Sequence, residues 1–399
     1  MGVSLGLVGL GAFGSSFAPL FNSHPLVDRI ALCDREPERI EEFAEKDSFQ
    51  EKFSPDDTYE SLDDILGADL DALVIITQPW LHAPQCIEAM DHGKHVYSAV
   101  PVISIPDADE ILDWCERIVQ TCERTGRYYM LGETTYYHAD AMFCRRKAEE
   151  GAFGNFVYAE GEYFHDVDAR CNLREVQKHR TSSASGREWL EILEKYRKQG
   201  AKSGPMHYPT HSVSGPICVM NTHAEEVTCY GYENQNDDPY FKDAAYSNEM
   251  ALFRLANGAT LRICECREIA RAGEETFRLY GTRGSYRDGI WETNGRDEPL
   301  SAVPLETEQL TQERMRTPLP AEVLEAFASA SPENPYGGHG GSHSYLVHEF
   351  VSAVAEDRQP AINAWEAVRY MAMGATAHKS ALAGGKTLEV PDWGEPPGL

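Results

Sequence analysis

The first 34 residues constrain the fold of this chain more than any other stretch. An apolar run over residues 3–8 breaks off in the glycine-rich turn Gly9-Leu10-Gly11-Ala12-Phe13-Gly14. A helix-compatible segment over 15–22 follows, and a second apolar run over 29–33 ends in Asp34. This order of strand, glycine turn, helix, strand and terminal acid is the fingerprint of a βαβ unit that binds a dinucleotide.

Each position of the turn has a task. Gly9 permits the tight turn, Gly11 lets the backbone approach a pyrophosphate, and Gly14 lets the helix pack close to the strand. Because N–H groups at a helix N-terminus point toward bound phosphates, Ala12 and Phe13 join the glycines as predicted cofactor-binding residues.

The two residues that end the second strand bear on the choice of cofactor. Asp34 is placed to accept hydrogen bonds from a ribose 2′-hydroxyl, and its charge would repel a 2′-phosphate, so the sequence favours NAD. Arg35 follows directly and could instead attract that phosphate, which leaves NADP as the less favoured alternative. Both residues are predicted to lie at the cofactor.

Strands and helices alternate up to about residue 132. An apolar run over 72–77 and further strands over 94–98 and 128–131 predict a doubly wound parallel sheet, the NAD(P)-binding Rossmann domain, over 1–132. A connection is predicted over 56–62. Ligands of such sheets lie at the carboxyl ends of strands. The side chains expected there, as further cofactor-binding residues, are Gln78, Trp80, His82 and Val100.

The alternation of strands and helices stops in the second domain, which is predicted over 133–399. Several stretches alternate apolar and polar residues and predict a mostly antiparallel open sheet beside helices. The expected fold class is therefore α/β followed by α+β. The alternating stretches are 154–166, 226–232, 249–255, 260–267 and 275–280.

Three other parts of this domain lack that alternation. The polar segment 168–206 predicts an insertion or lid with one helix near 187–199. The acidic stretch 288–335 predicts a surface excursion. Two helices, over 344–356 and 364–382, are expected in the C-terminal region 344–384.

The charge balance of the 399 residues narrows the choice of partners. Lys plus Arg number 36 and Asp plus Glu number 64, which gives a formal net charge of −28. Such a surface repels phosphate backbones and anionic lipid, so neither nucleic acid nor membrane is expected as a partner. No run has the length of a transmembrane helix, and the first residues lack a signal-peptide pattern, which favours a cytoplasmic protein.

Cysteine and histidine patterns do not predict a metal site. The ten cysteines contain no CxxC pair and are interpreted as reduced, mostly buried thiols. His339, His343, His348 and Glu349 could suggest zinc, but glycines 340 and 341 argue against a helical pair, and no compact set of four ligands is present.

Three further segments carry a resemblance to a known family. They are Gly93-Lys94-His95-Val96 ahead of an x-x-Pro strand end, residues 149–154 at the start of the second sheet, and His207-Tyr208-Pro209-Thr210-His211. With the fingerprint domain and the antiparallel sheet, they resemble the Gfo/Idh/MocA family of sugar and cyclitol oxidoreductases over nearly the whole chain. The resemblance implies a small-molecule substrate and a homo-oligomer, dimer or tetramer, formed through the open sheet face.

Two departures from that family concern its usual chemistry. Its Glu-Lys-Pro is Ala99-Val100-Pro101 here, so the lysine that ordinarily works as acid and base or positions the substrate hydroxyl is absent. Its aspartate four residues before the histidine is His207 here.

The departures and four motifs are similar to glycoside hydrolase family 109. Members of that family are NAD-dependent glycosidases that oxidise the sugar at C3, eliminate the aglycone, add water and re-reduce. The family's Glu-Asn-Val-Asn-Tyr differs here, as Glu133-Thr134-Thr135-Tyr136-Tyr137, and its secretion signal is missing. The four motifs are residues 79–82, 163–166, 208–211 and the Gly-Gly-His-Gly-Gly turn 337–341.

Oxidation of a sugar hydroxyl needs a base with a pKa near the working pH, and histidine meets that need. His211 is the predicted base, with Tyr208 as its partner or alternative. The resemblance places Tyr163 and His165 beside the site, Tyr163 as a catalytic residue and His165 at the cofactor. The predicted substrate-binding residues are His207, Arg180 and His339.

Three hypotheses follow. The first is an NAD-dependent oxidoreductase of a sugar, glycoside or cyclitol. The second is a glycosidase that uses NAD transiently and shows no net redox change. The third is a cofactor-binding sensor without catalytic activity, which would bind NAD and turn over nothing.

Overall fold

The computed structural model describes residues 2–46, 49, 51–169, 172–293 and 306–397. Within these ranges the strands form a parallel sheet of six strands and a mostly antiparallel sheet of nine. The predicted fold class is therefore confirmed. None of the described helices is long and apolar enough to cross a membrane.

The first sheet has the strand order of dinucleotide-binding domains, β3-β2-β1-β4-β5-β6. All five pairings are parallel. Its last strand ends one residue before the predicted domain boundary. The strands are β1 (Val3–Val8), β2 (Val27–Cys33), β3 (Phe53–Tyr59), β4 (Ala72–Ile75), β5 (His95–Ser98) and β6 (Tyr129–Leu131).

Helices cover this sheet, which is why β4, β5 and β6 are apolar and wholly buried. The longest helix of this domain, α5, starts where Asp107 accepts the backbone N–H groups of Asp109 and Glu110, and it ends at Gly126 with φ 66°. The helices are α1 (Gly14–Ser23), α2 (Pro37–Ala44), α3 (Leu62–Leu66), α4 (His82–Asp91) and α5 (Ala108–Thr125).

The second sheet has the order β14-β13-β12-β11-β7-β10-β9-β8-β15. Only β7 and β10 pair in parallel within the described sheet. Its strands are β7 (Phe156–Phe164), β8 (Ala224–Tyr232), β9 (Asn248–Leu255), β10 (Thr260–Cys266), β11 (Glu274–Gly281), β12 (Gly284–Arg287), β13 (Ile290–Thr293), β14 (Glu306–Gln309) and β15 (Leu388–Glu389).

Helices lie on one face of this sheet and link it to the first domain. The C-terminal helix α13 is almost wholly buried, because it packs on α5 and β6 as well as on β8. The helices are α6 (Ala139–Glu149), α7 (Leu173–Ser182), α8 (Ala184–Gln199), α9 (Thr210–Met220), α10 (Gln312–Met315), α11 (Ala321–Ala330), α12 (His343–Ala355) and α13 (Ala364–Leu382).

Three sequence predictions of local structure are wrong. The connection predicted over 56–62 overlaps β3, a polar edge strand that contains a proline and so lacks the apolar pattern of its neighbours. The insertion holds two helices, because Ser183 ends α7 and caps α8 by accepting the N–H of Gly186. The stretch 288–335 contains β13, β14, α10 and α11, and its residues 294–305 lie outside the described ranges.

The described cysteines are all free. This agrees with the interpretation of reduced thiols. Cys171 lies outside the described residues.

Candidate active site

The candidate site lies where the second domain meets the carboxyl edge of the parallel sheet. Glu133 follows β6 at that edge, and α9 supplies His211 from the other domain. The helix begins at Thr210, directly after Pro209, so His211 lies in its first turn. A Cβ at Gly161 of β7 would stand 1.9 Å from the carbonyl oxygen of Ser212, so only glycine lets α9 approach this closely.

A histidine–carboxylate pair forms the centre of the site. His211 Nδ1 and Glu133 Oε1 are 3.0 Å apart, with His211 6% and Glu133 0% exposed. Burial by itself would lower the pKa of His211, but the carboxylates of Glu133 and Glu275 raise it to about 9. Burial opposes ionisation of Glu133, yet His211 holds the pKa of that carboxyl down at about 2. The pair therefore exists as imidazolium and carboxylate at neutral pH.

A second carboxylate adjoins this pair. Glu275 Oε2 lies 3.9 Å from His211 Nδ1 and 3.7 Å from His138 Nε2. The hydroxyl of Thr135 donates to the same oxygen over 3.3 Å, and the Thr135 N–H donates to Glu133 over 2.9 Å. Thr135 thus fixes both carboxylates relative to each other.

Two tyrosines flank the histidine. The rings of Tyr163 and Tyr208 lie 5.1 and 5.4 Å from that of His211. The Tyr163 hydroxyl and His165 Nδ1 are 2.6 Å apart, and the Tyr208 hydroxyl donates to the carbonyl of Val100 over 3.4 Å. Burial raises the pKa of both phenols, so they are neutral hydrogen-bonding groups.

An ion pair behind the site holds these elements in place. Arg267 Nη2 donates to Glu265 Oε2 over 2.7 Å, and its guanidinium lies 4.5 Å from the ring of Tyr163. Glu265 also accepts the hydroxyl of Ser212, the residue after the catalytic candidate His211. The first turn of α9 is thereby tied to β10.

The glycine turn fits NAD. Gly9 has φ +91°, and a Cβ at Gly14 would stand 1.9 Å from the carbonyl oxygen of Gly9. At Gly11 a Cβ would meet nothing nearer than Arg39 Nη1 at 3.5 Å, so the backbone there is open to a ligand. Asp34 directly follows β2 and is oriented by the N–H groups of Leu10 and Glu36, at 2.8 and 2.9 Å. The predicted turn geometry is present, including Ala12 and Phe13 ahead of α1.

The other predicted cofactor residues are largely engaged with protein groups. His82 is 1% exposed, with Nδ1 2.8 Å from the carbonyl of Pro101 and Nε2 3.3 Å from that of Thr77. The carbonyl of Gln78 accepts the N–H of Leu81 and shapes the turn after β4. His82 and Gln78 therefore fix the strand end.

Trp80 and Arg35 both contact α8 of the insertion. The rings of Trp80 and Trp189 stack, with centroids 4.9 Å apart and planes 9° apart. Arg35 donates two hydrogen bonds to Glu188, over 3.0 and 2.9 Å. The insertion therefore lies against the cofactor-binding domain.

The glycine-rich turn that carries His339 lies beside the fingerprint. The ring of His339 is 5.8 Å from that of Phe13, and its Nδ1 is 2.9 Å from His343 Nε2. Burial lowers the pKa of His339, Glu275 raises it and His211 lowers it further. His339 thus lies near enough to Glu275 and His211 for their charges to affect its pKa.

Arg180 and His207 differ in how they relate to the site. Arg180 of α7 is near enough to lower the pKa of Tyr208, although burial raises it overall. His207 ends a separate 3₁₀ turn, Pro205–His207, ahead of α9, which begins at Thr210. Its ring lies 4.3 Å from that of His378. A substrate-binding role for both stays a prediction.

Sequence reasoning missed Glu275, Thr135, His138 and the two α8 residues, Glu188 and Trp189. Glu275 pairs directly with Tyr163 between β11 and β7, so strand register was the signal for it. The other four are brought in by contacts between elements, which no local pattern encodes. Among the described residues no group of three or more His, Cys, Asp or Glu could hold a metal ion.

Two family models match the chain. The first, described as an oxidoreductase family with an NAD-binding Rossmann fold, covers residues 3–133. The second, the C-terminal alpha/beta domain of the same oxidoreductase family, covers residues 145–390. The chain belongs to the Gfo/Idh/MocA family. Its first domain is an NAD-binding Rossmann domain, which confirms the predicted cofactor.

Curated relatives within the Gfo/Idh/MocA family bear a glycosidase name. Glycosyl hydrolase family 109 proteins of Solibacter usitatus and Stenotrophomonas maltophilia are 24% and 25% identical over 98% of this chain and 88% and 89% of theirs. One from Shewanella pealeana is 28% identical over 54% of this chain and only 43% of its own length. The chain thus spans less than half of that relative.

Solved structures confirm the Gfo/Idh/MocA fold. A levoglucosan dehydrogenase in complex with NADH and levoglucosan has a TM-score of 0.72 at 18% identity, over 98% of this chain and 100% of that one. A myo-inositol 2-dehydrogenase from Lactobacillus plantarum has a TM-score of 0.65 at 16% identity, with the same coverage. At these identities the likeness is one of fold.

Proposed function

We propose that this protein is an NAD-dependent oxidoreductase that oxidises a hydroxyl-bearing carbon of a sugar, glycoside or cyclitol. The observation that carries the proposal is the 3.0 Å hydrogen bond between His211 Nδ1 and Glu133 Oε1. A histidine oriented by a buried carboxylate is suited to exchange a proton with a substrate hydroxyl. The pair lies at the edge of the sheet where Rossmann domains bind their ligands.

His211 is the proposed base. Glu133 holds Nδ1, so Nε2 is the nitrogen that takes the hydroxyl proton while the carbon of the same hydroxyl loses hydride. NAD, when bound, supplies the hydride acceptor. Since the pKa of His211 is raised to about 9, the neutral form that accepts the proton increases with pH, and the imidazolium serves the reverse reaction.

The tyrosines are proposed to position the substrate. Tyr163 and Tyr208 present neutral phenols on two sides of His211, which suits the hydroxyls of an uncharged polyol. Arg180 and His339 are proposed to contact the substrate from α7 and from the glycine-rich turn. Together these groups favour a neutral, multiply hydroxylated ligand.

The position of Val100 supports the role given to His211. In the Gfo/Idh/MocA family, a lysine ordinarily occupies this position and works as acid and base or positions the substrate hydroxyl. Val100 is 7% exposed and offers only its carbonyl, which accepts the Tyr208 hydroxyl. Acid–base chemistry then falls to the histidine–carboxylate pair.

A second candidate function is a glycosidase that uses NAD without net redox change. After oxidation to the ketone, elimination removes a proton from the adjacent carbon and delivers one to the departing aglycone oxygen. Water then adds to the double bond that elimination leaves, and return of the hydride reduces the ketone again. This series of reaction steps needs more proton-transfer groups than a dehydrogenase does. Glu275 and His138, 3.7 Å apart beside His211, are such groups, and the names of the curated relatives agree with this candidate.

The test is a panel of p-nitrophenyl glycosides, free sugars and cyclitols, incubated with the protein with and without added NAD. Nitrophenol release and absorbance of the NADH band are followed together. Accumulation of NADH supports the oxidoreductase, and nitrophenol release without NADH accumulation supports the glycosidase. Bound NADH, shown by fluorescence, with neither product across the panel would contradict both and favour a sensor.

A further inference from the structure

Two arginines lie within five residues of the acid that favours NAD. Asp34 directly follows β2, and Arg39 Nη1 lies 3.5 Å from its Oδ2. Arg35 follows Asp34 in sequence. In Rossmann domains an acid at this position binds the ribose 2′-hydroxyl, whereas a nearby arginine accommodates the 2′-phosphate of NADP. The charge state around these arginines therefore bears on which cofactor binds.

The two arginines are paired in different ways. Arg39 is paired locally, with Glu36 Oε2 2.7 Å from its Nη2, within three residues of chain. Arg35 is paired with Glu188, which belongs to the insertion in the second domain and lies 153 residues away in sequence. Arg35 Nη1 and Nη2 both donate to Glu188, over 3.0 and 2.9 Å. Such a bidentate pair fixes the orientation of the Arg35 guanidinium and also compensates its positive charge.

The helix that carries Glu188 is anchored. The neighbouring residue Trp189 stacks on Trp80 of the first domain. One further contact lies two turns along, where the Tyr196 hydroxyl donates to Glu110 of α5 over 2.8 Å. An exposed ion pair between two mobile side chains contributes little, because ordering them costs entropy. Here the packing of α8 on the first domain already holds the Glu188 carboxylate next to Arg35, so forming the pair costs less entropy.

We propose that Glu188 is a cofactor-selectivity residue that makes this site prefer NAD over NADP. It binds the Arg35 guanidinium that would otherwise contact a 2′-phosphate. Asp34 recognises the ribose, and Glu188 withdraws the arginine that directly follows Asp34 in sequence. Selectivity thus depends on a residue from the second domain, not only on the fingerprint.

The test is Glu188→Gln, with the dissociation constants of NADH and NADPH measured by cofactor fluorescence on the full chain. Freeing the guanidinium is expected to tighten NADPH binding about tenfold, the size typical of a charged hydrogen bond, and to change NADH binding less than about twofold. Glu191→Gln is the matched control, since Glu191 is an exposed carboxylate on the same helix. It is expected to change neither constant.

A double variant separates the release of Arg35 from a general loss of negative charge. Arg35→Gln with Glu188→Gln is expected to lose the gain in NADPH affinity. An unchanged ratio of the two constants in Glu188→Gln would overturn the proposal. So would an equal gain in Glu191→Gln, or a gain that survives in the double variant.

Discussion

At the scale of single residues, the chemistry of the site rests on buried carboxylates. A lone buried histidine would be neutral, because burial disfavours the charged form. Glu133 and Glu275 reverse this for His211 and raise its pKa to about 9. The pKa of the same histidine would therefore be lower without its partners, and the pH dependence of the reaction reports on them.

Replacing Glu133 tests this dependence. In the wild-type protein, kcat/KM for oxidation is expected to rise with pH up to about 9, because neutral His211 is the base. In Glu133→Gln the carboxylate that favours the imidazolium is gone, so the rise should move to lower pH, with a rate loss of roughly 10²-fold from poorer orientation. A pH–rate profile measures both effects. An unshifted profile would mean that another group is the base.

The residues of the site were predictable from sequence to different degrees. His211, Tyr208 and Tyr163 stand in local motifs, and the structure brings their rings together. Glu275 and Glu188 stand in no motif. They reach the site through the register of β11 with β7 and through the docking of α8, which only the tertiary fold determines.

At the scale of elements, the insertion connects the domains at the cofactor. Helix α7 buries none of its described residues, and α8 presents Trp189 to Trp80. The sequence predicted a polar insertion with one helix near 187–199, which corresponds to α8, but α7 was missed because it has no apolar stripe. Helix α8 buries only Gly186 and Tyr196, and the stack of Trp189 on Trp80 is its aromatic contact with the first domain.

Replacing Trp189 tests this docking. An aromatic pair contributes about 1 kcal/mol beyond burial, so Trp189→Ala should increase amide hydrogen exchange across residues 184–199. Leu190→Ala is the control, since Leu190 is 42% exposed on the same helix. Equal exchange in both variants and wild type would show that the stack does not hold α8.

At the scale of the whole molecule, the outer face of the second sheet exposes a group of large apolar side chains. Tyr230 is 63% and Leu252 52% exposed, and Tyr232 and Met250 lie beside them on β8 and β9. Contiguous exposed apolar residues on this scale mark an interaction surface. The fold class and this open face were both predictable, since period-2 alternation predicts a one-sided sheet.

A charged substitution tests whether this face joins copies of the chain. We expect the wild-type protein to be a homo-oligomer, and Tyr230→Glu with Leu252→Glu to yield monomers, because burying two carboxylates at an interface is costly. Light scattering after size exclusion measures the mass. Leu190→Glu adds charge at an exposed leucine on α8 and should leave the mass unchanged. A monomeric wild-type protein, or an unaltered mass in the double variant, would exclude this face.

The central claim is that hydride passes from a sugar carbon to NAD with His211 as the base. Its most direct test is stopped-flow absorbance of the NADH band after NAD-loaded protein is mixed with each substrate that reacts in the glycoside and sugar panel, in wild type and His211→Gln. We predict NADH formation in wild type, transient or lasting, and a rate about 10³-fold lower in His211→Gln, which should bind NADH normally. NADH formation at the wild-type rate in His211→Gln, or turnover by wild type without any NADH, would contradict it.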